Sequence, residues 1–174
     1  MSKTAYDLRM IKAVVFDIDG VLSPSTIPMD NNGVPVRMAN IKDGYALQLA
    51  VKKGLILAII SGADTEAVKK RFQALGFHDI FLGISDKESC MRKWMDDRKL
   101  EACEVAYVGD DIPDLPAMRM AGLAVAPADA ACEARQLASY ITTADGGHGV
   151  ARELIEQILR AQGKWLNDKE VYSW

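Results

Sequence analysis

Histidine, cysteine and surplus positive charge are what this chain of 174 residues has least of. There are two histidines and three cysteines, Cys90, Cys103 and Cys132. The cysteines are odd in number and widely spaced, with no C-x-x-C. That argues against a disulfide framework and a thiolate zinc site, and fits reduced thiols in a cytoplasmic protein. A formal net charge of −3 leaves no electrostatic case for nucleic acid as a partner. The densest basic run, Val68 to Phe72, reads as a solvated helix face. No window approaches the roughly 18 apolar residues of a membrane span, and the opening MSKTAYDLRMIK lacks the apolar stretch of a signal peptide. What remains is ordinary for a soluble globular protein: 49% hydrophobic and 26% charged residues, enough for a single domain over residues 1–174.

Short apolar runs alternate with helical segments. The runs are Ala13 to Phe16, Leu55 to Ile60, Ile80 to Gly83, Val105 to Gly109 and Leu123 to Pro127. Each is apolar without alternation, as strands buried on both faces are. Helices are expected over Tyr45 to Lys53, Thr65 to Leu75, Glu88 to Arg98, Leu115 to Ala121 and Val150 to Gln162. The order predicts an α/β fold, a Rossmann-like doubly wound parallel sheet. The segment Thr26 to Asn40 departs from it. Its Asn32-Gly33 pair is a hairpin-turn signal, so residues 26–40 read as a small β-hairpin outside the sheet. The tail, residues 164–174, has little periodicity and ends in aromatics.

The chemistry sits where the strands end. The run KAVVFDIDG passes from apolar residues into Asp17, Asp19 and Gly20. Ser61 and Gly62 follow the second strand, Lys87 opens the helix after the third, and GDDIPD follows the fourth, supplying Asp110, Asp111 and Asp114. In an open parallel sheet these ends meet at one crevice. Carboxylates converging there repel each other, and a hard divalent cation relieves the repulsion. Oxygen-only ligands suit Mg2+, which keeps waters and binds substrate phosphate. Ser61 and Lys87 can then hold phosphoryl oxygens, Asp17 can attack phosphorus, and Asp19 can serve the leaving oxygen as acid and water as base.

These residues resemble the four motifs of the haloacid dehalogenase-like (HAD) phosphatases. DIDGV fits the first, Ser61 the second, Lys87 the third and GDDIPD the fourth. Within that superfamily, DIDGVLS, NNG, NIKDGYA, VAYVGDDIPD, GGHGVARE and AQGK resemble the 3-deoxy-D-manno-octulosonate 8-phosphate (KDO 8-phosphate) phosphatases. The resemblance implies a phosphoric monoester hydrolase of lipopolysaccharide biosynthesis. It makes Asp17 the nucleophile and Asp19 the acid/base. The magnesium ligands would be Asp17, the backbone carbonyl of Asp19, and Asp110, with Asp111 or Asp114 in support. Substrate contacts are implied at Asp19, Asn40, Ile41, Lys42, Asp43, Gly44, Gly62, Arg71 and Lys87.

Arginines common in that family are replaced here by Gln48 and Ala63. The chemistry is untouched, but the choice of sugar acid stays open. Arg71 and Lys42, with Arg37 or a neighbour's Arg152, are the cations left for it. Nine-carbon substrates, KDN 9-phosphate or acylneuraminate 9-phosphate, are the alternative, as is a catalytically idle binding or regulatory HAD domain. There is no room for a cap domain between Leu82 and Lys87, and only a hairpin and one helix fit between Gly20 and Leu55. A lid would therefore come from a neighbouring subunit, and the resemblance implies a homotetramer in which the tail reaches an adjacent site.

Overall fold

Strand β1 (Ala13–Phe16) occupies the middle of a single sheet because every one of its residues has somewhere dry to go. The computed structural model describes residues 5–167 and 169–172. Its strands are β1, β2 (Ile56–Ile60), β3 (Asp79–Phe81), β4 (Val105–Val108), β5 (Leu123–Ala126) and β6 (Tyr140–Ile141). They lie in the order β3-β2-β1-β4-β5-β6, and all the pairings are parallel. Val14 and Phe16 of β1, with Leu57, Ile59, Ala106 and Val108 of its neighbours, face one side. There they pack with α1 (Ile41–Lys52), α2 (Glu66–Ala74) and α6 (Val150–Ala161). Ala13, Val15, Ala58, Ile60 and Tyr107 face the other side. There α3 (Lys87–Arg98), α4 (Leu115–Met120) and α5 (Cys132–Leu137) cover them. Two covered faces explain the unbroken apolar runs. Each fully buried Phe, Ile or Val side chain is worth roughly 1.5–3 kcal/mol.

Two elements escape the sequence pattern, α5 and β6. At six and two residues they are too short to carry a period. Helix α1 begins at Ile41 rather than Tyr45 because Asn40 caps it. The Asn40 Oδ1 accepts from the backbone of Lys42 at 2.9 Å and of Asp43 at 3.2 Å.

Residues 26–40 lie outside the sheet. The chain reverses there, with Asp30 N donating to Val34 O at 2.9 Å and Val36 N to Pro28 O at 2.8 Å. Only one antiparallel bridge forms, Met29 with Pro35, and the arms make no strand. Pro28 and Pro35 lack the N–H groups a ladder needs. From the tail, Trp165 packs on its own chain, edge-on to Tyr45 with ring centroids 6.4 Å apart, under the Arg152 guanidinium at 4.7 Å. Trp174 lies outside the described residues. Among those residues no helix is long and apolar enough to cross a membrane.

The connections place the crevice. From β1 the chain moves to β2 and β3 on one side, then crosses to β4 on the other. Beyond the carboxyl ends of β1 and β4 the two edges diverge, at the switch point where such sheets bind ligands.

Candidate active site

Asp17 is the first residue past β1, held by its own N–H donating to Val108 O of β4 at 3.0 Å. Its side chain is buried. One carboxylate oxygen, Oδ2, lies 2.9 Å from Lys87 Nζ. The other, Oδ1, has no hydrogen-bond partner. Lys87 starts α3, so its side chain reaches back across the strand ends. Its ammonium also bonds Asp114 Oδ1 at 2.7 Å.

Asp114 is the post of the fourth loop. Besides Lys87, its Oδ1 accepts from the Tyr107 hydroxyl at 2.9 Å, and its Oδ2 accepts from Asp110 N at 3.0 Å. Asp111 instead turns to cap the short 3-10 turn Ile112–Asp114, accepting from Ile112 N at 2.8 Å. So of the two supporting acids suggested by the motif, Asp114 is the one that touches the cluster. Oxygens of Asp17, Asp110 and Asp114 all lie within 4.8 Å of one another.

One ammonium facing three carboxylates is an imbalance, and it shows in their acidities. Burial, then the charge of Asp114, pushes Asp17 up to about 6, against the pull of Lys87 and the Ser61 hydroxyl. Burial, then the charges of Asp114, Asp17 and Asp111, pushes Asp110 up to about 7. Burial opposes the charge on Lys87, but Asp17 and Asp114 outweigh it and hold its pKa above the usual lysine range. A crowded oxygen cluster with an unpartnered buried oxygen is what a hard divalent cation fits.

The loop after Asp17 turns on Gly20, at φ +80°. A Cβ there would lie 1.9 Å from Asp110 Oδ2, so only glycine lets this loop lie against the Asp110 carboxylate. Between them, Asp19 is taken up by Arg37, whose Nε and Nη2 donate to Oδ1 and Oδ2 at 2.7 Å each. Ser61, just past β2, is buried, its Oγ accepting from Ala63 N at 3.2 Å, and Gly62 beside it is exposed.

The remaining predicted contacts form a second group. Arg71 of α2 lines a cavity of about 300 Å³ together with Arg37, Ile18, Leu22 and Phe72. Its guanidinium lies over Gly44, where a Cβ would be 2.6 Å from Nη2. Asn40 donates from Nδ2 to Gly147 O at 3.2 Å. Asp43 is turned inward to the start of α6, accepting from Arg152 N at 2.7 Å, with its Oδ2 buried and unpartnered. Burial pushes its pKa up to about 6, despite the Arg152 and Gly149 amides and the charges of Arg152 and His148. Ile41 and Lys42 are exposed, and Lys42 borders a separate surface groove with Arg152 and Arg160.

Two residues of the site were not singled out by motif reasoning. Tyr107 gave a faint signal, a hydroxyl inside an otherwise apolar strand. Arg37 entered only as a spare cation, with no hint that it grips Asp19.

Comparison with known proteins places the chain among phosphatases of one fold. Residues 40–122 match the haloacid dehalogenase-like hydrolase family. The chain is 38% identical over 154 residues to the 3-deoxy-D-manno-octulosonate 8-phosphate phosphatase KdsC of Escherichia coli K12, covering 88% of this chain and 82% of that one. It superposes with a TM-score of 0.90 on a probable YrbI family phosphatase from Pseudomonas syringae, 40% identical, covering 95% of this chain and 94% of that one. The Moraxella catarrhalis KDO 8-phosphate phosphatase, solved in complex with magnesium, phosphate and KDO, superposes with a TM-score of 0.87 at 35% identity, covering 91% of each chain. The shared fold, the identity along nearly the whole length of both chains and the acids gathered at the switch point lead to one assignment: this chain belongs to the 3-deoxy-D-manno-octulosonate 8-phosphate phosphatase family of the haloacid dehalogenase-like hydrolases.

Proposed function

We propose that the protein is a magnesium-dependent phosphatase that hydrolyses KDO 8-phosphate to KDO and inorganic phosphate through an aspartyl phosphate on Asp17. The observation that carries the reading is the state of Asp17: buried, with Oδ2 held by Lys87 and Oδ1 free of partners, beside Asp110. Asp17, the backbone carbonyl of Asp19, and Asp110 would hold the magnesium. When bound, the ion supplies positive charge that lets an anionic phosphate approach an acidic pocket.

The residues of the chain account for the rest. The Ser61 hydroxyl, Gly62 and the Lys87 ammonium bind phosphoryl oxygens and stabilise charge that grows in the transition state. Asp17 attacks phosphorus, the bond from phosphorus to the sugar oxygen breaks, and Asp19 gives its proton to that oxygen. Asp19 then takes a proton from water as the water oxygen attacks phosphorus. The bond to Asp17 breaks, and phosphate leaves.

The nine-carbon acid phosphates and the idle-domain reading are not favoured. The Escherichia coli and Moraxella catarrhalis relatives are KDO 8-phosphate phosphatases, and Asp17, Asp110, Asp114 and Lys87 stand together at the strand ends. Asn40, Ile41, Lys42, Asp43, Gly44 and Arg71 serve the sugar. Ile41 and Lys42 are exposed and outside the lining of the cavity that Arg37 and Arg71 share, which supports their serving a neighbour's site in a homotetramer. Met29, Val34, Val36 and Met38, all large, apolar and exposed, support burial of segment 26–40 between subunits, with the tail 164–174 near an adjacent site. The three free cysteines support a cytoplasmic location.

Phosphate release with and without magnesium, against KDO 8-phosphate, nine-carbon acid phosphates and neutral sugar phosphates, tests the reading. KDO 8-phosphate should be turned over fastest, and only with magnesium. A preferred neutral sugar phosphate would refute the substrate, and a monomer in sedimentation would refute the tetramer.

A further inference from the structure

Asp19 is held in place by another side chain. Each of its oxygens accepts from the fork of Arg37, at 2.7 Å, so the carboxylate is fixed by that pair rather than free to turn to a departing sugar oxygen. The Asp19 side chain is 37% exposed but that of Arg37 only 11%, so the pair opens to solvent from the aspartate side. Arg37 belongs to the reversing segment outside the sheet, which is tied back nearby by Met38 N donating to Ser23 Oγ at 3.2 Å. The cavity of about 300 Å³ beside it has walls of Ile18, Leu22, Val68 and Phe72, and among the described residues its charged lining residues are Arg37 and Arg71. That volume is at the small end of ligand sites. Arg71 has no ion-pair partner among the described residues. A guanidinium released from Asp19 into such walls needs another anion, since a lone charge beside apolar surface is costly.

We propose that Arg37 is shared between two carboxylates: it holds Asp19 while the site is empty, and it passes to the carboxylate of the incoming sugar acid, freeing Asp19 for the leaving oxygen. Recognition of the acid is thereby coupled to release of the catalytic group. A neutral sugar phosphate has nothing to offer Arg37 and leaves Asp19 engaged. The inference rests on the assignment of Asp19 as acid/base for a sugar acid phosphate. It explains how a site lacking arginines at Gln48 and Ala63 still selects an acid. The planar fork matches a carboxylate two bonds at a time, which a lysine does not.

The test compares kcat/KM for KDO 8-phosphate and glucose 6-phosphate in the wild type, Arg37→Ala and Arg37→Lys. Arg37→Ala should lower the ratio of acid to neutral substrate about ten- to a hundredfold, the worth of a charged hydrogen-bonded pair. Turnover of glucose 6-phosphate should rise, because Asp19 is no longer gripped. Arg37→Lys should fall between. A ratio within twofold of wild type in both variants overturns the proposal, as does an equal loss on both substrates. Calorimetry with free KDO and its C1 amide, in magnesium buffer, reads recognition without turnover. Wild type should prefer the acid at least tenfold, and Arg37→Lys should narrow that preference. If wild type hydrolyses KDO 8-phosphate yet binds acid and amide alike, the sharing of Arg37 is wrong and the phosphatase reading stands. If it prefers the acid through Arg37 yet cleaves no phosphate ester, the phosphatase reading is wrong and recognition by Arg37 stands.

Discussion

Replacing Gly20 with alanine separates backbone strain from damage to the metal site. Gly20 has φ +80°, and an added Cβ would lie 1.9 Å from Asp110 Oδ2 and 2.3 Å from its Cγ. Non-bonded heavy atoms settle at about 3.5–4.0 Å, so either the Asp17–Asp19 loop or the Asp110 carboxylate must move by more than about 1 Å. A misplacement of that size in a catalytic constellation costs on the order of a hundredfold in rate. The positive φ alone costs an alanine about 1–2 kcal/mol. Gly33 supplies the control, with φ +75° and nothing within 4 Å of an added Cβ. Gly33→Ala should therefore lower the melting temperature by a few degrees and leave turnover intact. Gly20→Ala should show a similar or larger thermal loss, about a hundredfold lower kcat/KM, and a higher magnesium concentration for half-maximal rate. If Gly20→Ala stays within fivefold of Gly33→Ala in kcat/KM, with the same magnesium requirement, then Asp110 and the Asp17 loop are not parts of one metal site.

Asp17→Asn should lose more than about a hundredfold in turnover while its unfolding transition is kept, because an amide does not attack phosphorus; a tenth of the wild-type rate would sink the nucleophile assignment. Asp19→Asn should slow single-turnover cleavage of KDO 8-phosphate far more than that of an aryl phosphate, whose leaving group needs no proton; equal slowing on both would remove the acid role. Asp43 bears on stability rather than rate. Its carboxyl titrates at about 6 in the fold and near 4 in an unfolded chain, so between those values the folded state binds more protons and stability falls as pH rises. Relative to Asp43→Asn, the wild type should thus lose up to about 3 kcal/mol from pH 4 to pH 7 in denaturant titrations, and a pH-independent difference would contradict the burial argument.

The parallel sheet could be read from the sequence because burial on both faces leaves its mark on every residue of a strand. Val14 and Phe16 look one way and Ala13 and Val15 the other, and none of the four is polar. Where a local rule competes, the reading shifted. The Asn32-Gly33 signal for a hairpin was real enough to reverse the chain, yet two prolines kept the arms from pairing beyond one bridge. Segments of a few residues, such as β6, hold their place through the edge of β5, and nothing in their own pattern announces it.

The site divides along a similar line. Asp17, Asp19, Ser61, Lys87 and Asp110 stand immediately after strands or at a helix start, so a position in the chain is nearly a position in space. Arg37 and Tyr107 act through contacts that no spacing encodes. Tyr107 meets Asp114 only because β4 turns that face toward α3, and Arg37 meets Asp19 only because residues 26–40 fold back over the first loop. These two also do a different kind of work. Asp114, fixed by Tyr107 and Lys87, sets the loop that presents Asp110, so the cluster stays crowded and its carboxyls are pushed to higher pKa. Arg37 sets whether Asp19 is engaged. The motif therefore specifies what reaction the strand ends can perform, while the residues that arrive from elsewhere in the chain govern when the acid is free to perform it.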